Sequence, residues 1–357
     1  MFSSVEYGCD NAESSAEPLL EKPQRRVLLS FLCKHFVSTF IATITFVVLS
    51  VAIWTLKGHT SWTSTGASQC MLPATRHEWR SLNSHQRLEY LRAVKCLSTI
   101  PSNICNGTLH DAFAYIHRNI GDYSHEAAPF LPWHRYFIHI YEQTLKERCH
   151  YTGTLPYWDW TQDWANLTQA PIWGSVEGFG GNGDSDHPAP VGDGYCVQNG
   201  PFAGLQVQYY NEDSRPHCLS RGFLVAEEYL EHFGAHRLNS SAIAGALDIP
   251  DYFRFLSMLE DGPHSAIPIL VRGDFSSFTA PNDPIFFLHH AQIDRLWWQW
   301  QSARPERALA YHGPSRYNST IAAQLTDLIE MAELAPNIQV SSVMATNSGL
   351  LCYGYQA

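Results

Sequence analysis

The sequence predicts a mainly α-helical domain built around buried histidines, following an N-terminal membrane-spanning helix. Three observations carry this. Two histidine-rich stretches, within residues 109–142 and 281–301, each read as a helix opened by a proline. Aromatic residues make up 13% of the chain and include 11 Trp, enough for a sizeable core. Residues 36–56 contain no charged side chain. A length of 357 residues suits one large domain or two ordinary ones.

Residues 1–35 are polar and read as a disordered cytosolic tail, with Lys22, Arg25, Arg26 and Lys34 towards its end. Residues 36–56 then span about 30 Å at ~1.5 Å per residue, the thickness of a bilayer's hydrocarbon core. A cleaved signal peptide would have a shorter apolar region and far fewer residues before it, so a signal anchor is expected. Trp54 suits the interface. Basic residues precede the span and Lys57 alone closely follows it. The positive-inside rule therefore places everything after the span in the lumen or outside the cell. The expected protein is a single-pass type II membrane protein of the secretory pathway, with the lipid bilayer as one partner. The sequons at Asn106, Asn166, Asn239 and Asn318 all follow the span, in agreement. So do Cys70, Cys96, Cys105, Cys149, Cys196, Cys218 and Cys352, which an oxidising compartment permits to pair. Cys70 with Cys96 and Cys196 with Cys218 are the expected pairs. The odd number leaves at least one thiol free or paired between chains. Residues 57–69 form a short Ser/Thr/Gly stem before a domain over 70–357.

In that domain helical patterning resumes over 78–97. A helix is expected over 111–118, with His117 near its end and His125 on the loop beyond. Pro132 suits the first turn of a further helix reaching Lys146, where its missing N–H costs nothing. That helix points His134 into the core beside Trp133 and Phe137. Residues 154–163 read as an aromatic core turn with a packing role only, and 174–204 as loop. Residues 224–238 read as an amphipathic helix with His232 and His236 at i, i+4. That spacing suits a metal, although a partly exposed helix with two polar histidines is the more ordinary reading. A helix is expected over 256–264. Arg272-Gly273-Asp274 reads as a turn, not an adhesion motif. Asp283 is a good N-cap and Pro284 a good first residue for the later helix, on which His290 and Asp294 share a face. Asp294 is expected to orient an imidazole or to pair with an Arg. A short helix is expected near 321–334.

The first stretch carries His110, His117, His125, His134 and His139. Neutral imidazole is the usual ligand for Cu, Zn, Fe and Ni, and the lack of an accompanying thiolate argues against structural zinc. A lone histidine among aromatics is usually a hydrogen-bonded core residue. Two such helices make coincidence a poor explanation. The formal charge of −11 argues against nucleic acid as a partner. There is no internal repeat, glycine-rich phosphate loop or G-x-S-x-G.

Two long motifs carry a resemblance. H-x4-F-L-P-W-H-R, starting at His125 and followed by Glu142, and D-P-x-F-F-x-H-H-x3-D, from Asp283 to Asp294, resemble the copper-A and copper-B signatures of tyrosinases and catechol oxidases. The likeness covers residues 70–301. C-x5-R-H-E-W-R-S-L from Cys70, A-V-K-C-L from Ala93 and H-C-L-S-R-G-F from His217 are similar to fungal members. The resemblance implies an antiparallel four-helix core holding two copper ions. His117, His125 and His134 would hold copper A, and His264 and His290 copper B, with His289 a supporting or gating residue. The family's further copper-B ligand lies four residues after the first. Here that position is Pro268, which has no imidazole and would break a helix carrying His264. The missing donor is then His289, although helix neighbours point ~100° apart and rarely ligate one metal, or His232 or His236 from the 224–238 helix, or it is left open. Many fungal members carry a thioether-linked Cys two residues before the second copper-A histidine. Here Tyr123 stands there, so no such link is expected. The residue after the first copper-B histidine is often Asn. Here it is Ser265, which points towards catechol or o-aminophenol oxidation rather than monophenol hydroxylation. Glu260 and Asp261 are candidate proton acceptors by position. Larger fungal members have a C-terminal domain that plugs the site, and the residues after Trp300 leave no room for one.

The implied function is copper-dependent oxidation of a small phenolic substrate or a peptide tyrosine by O2, in secondary metabolism or pigment formation. Imidazoles suit both Cu(I) and Cu(II). Helix-borne ligands keep a site rigid, and an aromatic wall excludes water. Two other readings stand beside it. One is an oxygen carrier without turnover, as in the related haemocyanins. The other is a copper-deficient relative with a binding or scaffolding role.

Overall fold

A computed structural model describes residues 70–225 and 234–356. The expected tail, membrane span and stem, and His232, lie outside the described residues. Among the described residues no helix is long and apolar enough to cross a membrane. The architecture is mainly helical, with short strands at its edges.

The chain enters through strand β1 (Ala74–Arg76) and helices α1 (Ser84–Leu97), α2 (Leu109–Ser124) and α3 (Phe130–Cys149). Asn83 starts α1 with a capping box, its side chain accepting from Gln86 N–H while Gln86 reaches back. Ala112, Phe113, Ile116 and Ile120 turn one face of α2 inward. Helix α3 is buried around most of its first three turns, and His150 in the left-handed region ends it. Pro132 stands in its first turn, as expected.

A loop-rich section follows, carrying β2 (Tyr195–Cys196), β3 (Gln206–Tyr210), β4 (Asp213–Cys218) and β5 (Ser220–Arg221). Strand β3 pairs with β4 and β2 with β5, both antiparallel. Helices α4 (Ser240–Asp248), α5 (Tyr252–Leu259), α6 (Ser265–Val271) and α7 (Ile285–Ser302) complete the helical part. Strands β6 (Leu328–Ile329) and β7 (Ile338–Gln339) precede β8 (Tyr353–Tyr355), which pairs in parallel with β1. The core lies between α2, α3 and α7. There Phe113 packs edge-on against Phe137, Tyr141 and Phe287 at ring-centroid distances of 5.4, 5.1 and 5.6 Å.

Several expectations are corrected. The helix expected over 256–264 ends at Leu259 and passes into a π-turn, Glu260–His264. Gly262 has non-helical dihedrals (φ −90°, ψ −110°) and Pro263 has no N–H to donate. Pro268 does not break the chain's helical course. It lies at the middle of the short helix α6, and its carbonyl still accepts from Arg272 N–H at 2.8 Å. No helix forms at 321–334. Glu330 is exposed, but its carbonyl accepts from the Trp133 indole at 3.0 Å and from Tyr123 Oη at 3.4 Å. Tertiary contacts override a weak local propensity there. Of the helix expected over 224–238, the described part is irregular at Leu224 and Val225 and a 3₁₀ turn at Ala235–Leu238.

Cys70 pairs with Cys352, not Cys96; Cys96 pairs with Cys149, and Cys196 with Cys218 as expected. The β1–β8 pairing brings Cys70 and Cys352 together across 282 residues, a proximity that spacing does not reveal. Cys105 is free. Arg272-Gly273-Asp274 is a turn. Gly273 has φ +58°, and a Cβ there would lie 2.3 Å from the Ser220 carbonyl oxygen. Asp274 is fully buried, accepting from His217 Nε2 at 2.8 Å, Ser220 N–H at 2.8 Å and Asn282 Nδ2 at 3.0 Å.

Candidate metal centre

The structure brings His117, His125 and His134 together. His117 comes from α2, His125 from the loop just past it and His134 from the start of α3. Glu126 turns that loop with φ 51°, and its N–H donates to Glu260 Oε1 at 2.9 Å. The ring centroids lie 5.3 Å apart for His117–His125, 5.1 Å for His125–His134 and 5.5 Å for His117–His134. Each ring offers a nitrogen within 4.8 Å of the others'.

Hydrogen bonds fix two of these rings. His117 Nδ1 donates to the Phe278 carbonyl at 2.7 Å, and His134 Nδ1 to the Phe130 carbonyl at 2.8 Å. A carbonyl only accepts, so both rings carry their proton on Nδ1 and present a lone pair from Nε2. Those two Nε2 atoms face each other at 3.3 Å. Burial pushes the His117 pKa down to about 3 and holds His134 well below the ordinary histidine value. At neutral pH no proton bridges them. Two buried lone pairs at that distance repel unless a cation lies between them.

A second group gathers His264, at the end of the π-turn, with His289 and His290 near the start of α7. Burial holds all three pKa values down, His289 to about 3. His290 stacks on His134 at 4.2 Å with the ring planes 9° apart, so the two groups share a wall. His264 lies 6.0 Å from His125 and 6.4 Å from His134, between ring centroids. His289, expected as a supporting or gating residue, falls within the same set of converging nitrogens as His264 and His290. His110 is a core residue whose Nε2 lies 2.9 Å from the Asn282 carbonyl, and His139 is buried beside Tyr136. His236 is exposed and lines a different cavity.

A cavity of about 400 Å³ opens over both groups, touching His117, His125, His264, His289 and His290. Phe275, Phe278, Phe286, Ile269 and Pro268 supply apolar wall, and Asn211 and Ser265 polar wall; among the described residues no carboxylate lines it. Reading the sequence alone missed Phe275 and Phe278. Their signal was the F-S-S-F run two residues before the P-N-D-P motif, hidden by the preceding turn.

Ser265 Oγ donates to the Glu260 carbonyl at 2.7 Å. Glu260 is buried, and burial pushes its pKa up to about 8. Asp294 does not orient an imidazole, although it sits one turn past His290. It accepts from Arg135 Nε and from the hydroxyls of Tyr353 and Tyr355, with Arg76 3.5 Å away. Buried cations within reach take the carboxylate, which joins α7 to the strands at both ends of the domain. Glu142 pairs with Arg76 at 2.7 Å, and Asp283 with Arg221 through bonds of 2.7 and 2.9 Å. Trp158 and Trp160 are fully buried, as packing residues should be.

Residues 108–303 match the family described as the common central domain of tyrosinase. The chain is 41% identical to the tyrosinase-like protein phomQ1 of Diaporthe leptostromiformis, over 98% of this chain and 95% of that one. It is 44% identical to the tyrosinase ustQ of Aspergillus flavus, over 89% and 88%. Among solved structures, a single-site mutant of a polyphenol oxidase from Thermothelomyces thermophila is similar, with a TM-score of 0.67, 28% identity, and coverage of 80% of this chain and 89% of that one. A functional unit of octopus hemocyanin shares the fold, with a TM-score of 0.53 at 21% identity, covering 80% and 68%. Agreement sustained over nearly the whole chain, on a fold that gathers six imidazoles beneath one cavity, shows that this chain belongs to the tyrosinase family of oxidoreductases.

Proposed function

We propose that this protein is a copper-dependent oxidase of small phenolic substrates, with His117, His125 and His134 holding one copper and His264 and His290 holding the second. The observation that carries this is the pair of Nε2 lone pairs facing each other at 3.3 Å, each set by a carbonyl on the opposite ring nitrogen. Neutral nitrogen donors of this kind suit copper in both oxidation states. The rings come from α2, α3, the α5–α6 junction and α7, which supports a four-helix core around the metals.

A copper pair held there would supply dioxygen binding and two-electron oxidation. The protein's own share is orientation and exclusion. Phe278 and Phe130 carbonyls fix the tautomers of His117 and His134. Phe275, Phe278 and Phe286 form an apolar slot in which an aromatic ring packs and water is displaced. Ser265 turns its hydroxyl proton back to Glu260's carbonyl, and no carboxylate of the described residues faces the slot. The site therefore lacks an evident acceptor for a monophenol's proton. This favours o-diphenols and o-aminophenols over ortho-hydroxylation of monophenols, whether the ring is a free phenol or a peptide tyrosine. The relative named N-acetyl-6-hydroxytryptophan oxidase, ivoB of Emericella nidulans, has by its name a hydroxylated aromatic substrate, which supports a phenolic one here.

We place the folded domain in the lumen of the secretory pathway or outside the cell, anchored by residues 36–56. Three disulfides support this, as do sequon asparagines exposed at Asn106, Asn166 and Asn318. Asn239 uses its side chain to cap α4, accepting from Ala242 N–H at 2.8 Å. Glycosidase treatment should raise gel mobility; unchanged mobility of a soluble product would count against the anchor. Oxygen uptake with a catechol, lost on copper removal and restored on reloading, tests the function. Absence of uptake by protein that holds two coppers would favour the oxygen-carrier reading, and protein that binds no copper the scaffolding reading.

A further inference from the structure

We propose that His289 is the third ligand of the second copper, standing in for the position four residues after His264 that Pro268 occupies. This rests on the dicopper reading above and concerns the atoms that complete it.

The first support is a match of size. In the group formed by His264, His289 and His290 the ring centroids are 5.6, 5.1 and 5.3 Å apart. In the group formed by His117, His125 and His134 they are 5.3, 5.1 and 5.5 Å apart. The two triangles have the same size, although one has a proline where the family pattern has a histidine.

The second support is polar. His289 is fully buried, yet neither ring nitrogen closes a hydrogen bond. The His264 backbone, the polar group within reach, closes no bond by geometry and could engage at most one of the two nitrogens, leaving the other for a metal. A buried imidazole kept for packing normally donates its N–H, as the rings of His117 and His134 do to carbonyls. Trp160 and Phe275 flank the His289 ring at 6.3 and 5.6 Å and offer it no acceptor there. A metal bound at one nitrogen would use the donor that the protein leaves unpaired.

The third support answers an objection. Neighbours on a helix point ~100° apart and rarely share a metal. Here the third corner comes from a different element, the π-turn, which carries His264 across to face α7. His289 and His290 nonetheless each offer a nitrogen within 4.8 Å of the other's and of His264's. Pro268 lines the same cavity without a donor atom, so α6 cannot complete the set.

The test measures copper content and the EPR signal of the oxidised full chain, for wild type, His289→Ala and His289→Asn. The proposal predicts two coppers per wild-type chain and no EPR signal, because adjacent Cu(II) ions couple. Both variants should hold one copper and show a mononuclear Cu(II) signal while keeping the wild-type circular dichroism. Two coppers and a silent spectrum in either variant would overturn it. So would loss of the second copper in His232→Ala alone. A wild type with fewer than two coppers removes the dicopper reading and this assignment with it. If neither variant folds, a copper-loaded wild-type structure decides: a His289 nitrogen bonded to copper supports the proposal, and an unbonded ring overturns it.

Discussion

The two histidine triads have the same dimensions and are held in different ways. In the first, two of the rings donate from Nδ1 to backbone carbonyls, which sets their tautomers before any ligand arrives. In the second, the Nδ1 atoms of His264, His289 and His290 close no hydrogen bond. Those rings are placed mainly by packing, between the stack on His134 and the walls of Trp160, Phe275 and Phe286. Hydrogen-bonded ligands lose little freedom on binding a metal; packed ones must still choose a tautomer. The first triad is therefore the preorganised one, and the second depends more on the ion it would hold.

Four changes would break or sharpen this comparison. The largest effect is expected for His134→Ala, which removes a ring of the first triad and the surface on which His290 stacks. Catechol oxidation should fall to background with loss of the first copper; retained turnover would show that the first triad is not a metal site. Asp294→Ala separates the scaffold from the triads. It leaves Arg135 and Arg76 buried without their shared carboxylate, and breaking such a group costs roughly 3–5 kcal/mol. Urea denaturation should register that loss, while folded protein keeps its copper content. A change in copper content with unchanged stability would mean that Asp294 supports the metals directly.

Chelation probes the contrast itself. Partners that fix a ligand's second nitrogen are worth roughly 10–100-fold in metal affinity, so the second copper should leave at a correspondingly lower chelator concentration. Simultaneous release would erase the distinction. The smallest effect concerns pH. Burial lowers the His139 pKa from 6.5 to about 4. Above pH 6.5 the residue is neutral in both states and leaves stability unchanged. Between those two values the unfolded chain binds a proton that the folded chain does not, so stability falls as pH drops towards 4. The loss amounts to at most about 3 kcal/mol. His139→Leu should flatten that part of the Tm–pH curve; an unchanged slope would assign the acid sensitivity to the triads alone.

The parts of this fold that were legible in the sequence are those written locally. His117, His125, His134 and His290 lie beside helix starts, prolines and aromatic runs, and a local pattern suffices to place them. Helix α3 and helix α7 were visible for the same reason. What stayed hidden depends on distant partners. Cys70 finds Cys352 only because β1 and β8 pair, and Asp294 goes to Arg135 and Arg76 only because three segments meet there. The expected helix at 321–334 fails because the Glu330 carbonyl serves Trp133. His289 was legible as one candidate third donor beside His232 and His236, but its position next to His290 on one helix counted against it. Its place depends on the π-turn at Gly262 and Pro263, which no periodic pattern announces.

The central claim is that six imidazoles form a site for two coppers. The most direct measurement is the copper content of the full chain expressed with copper in excess. Two coppers per chain are expected, with no EPR signal from the oxidised protein. One copper or none under those conditions would contradict it.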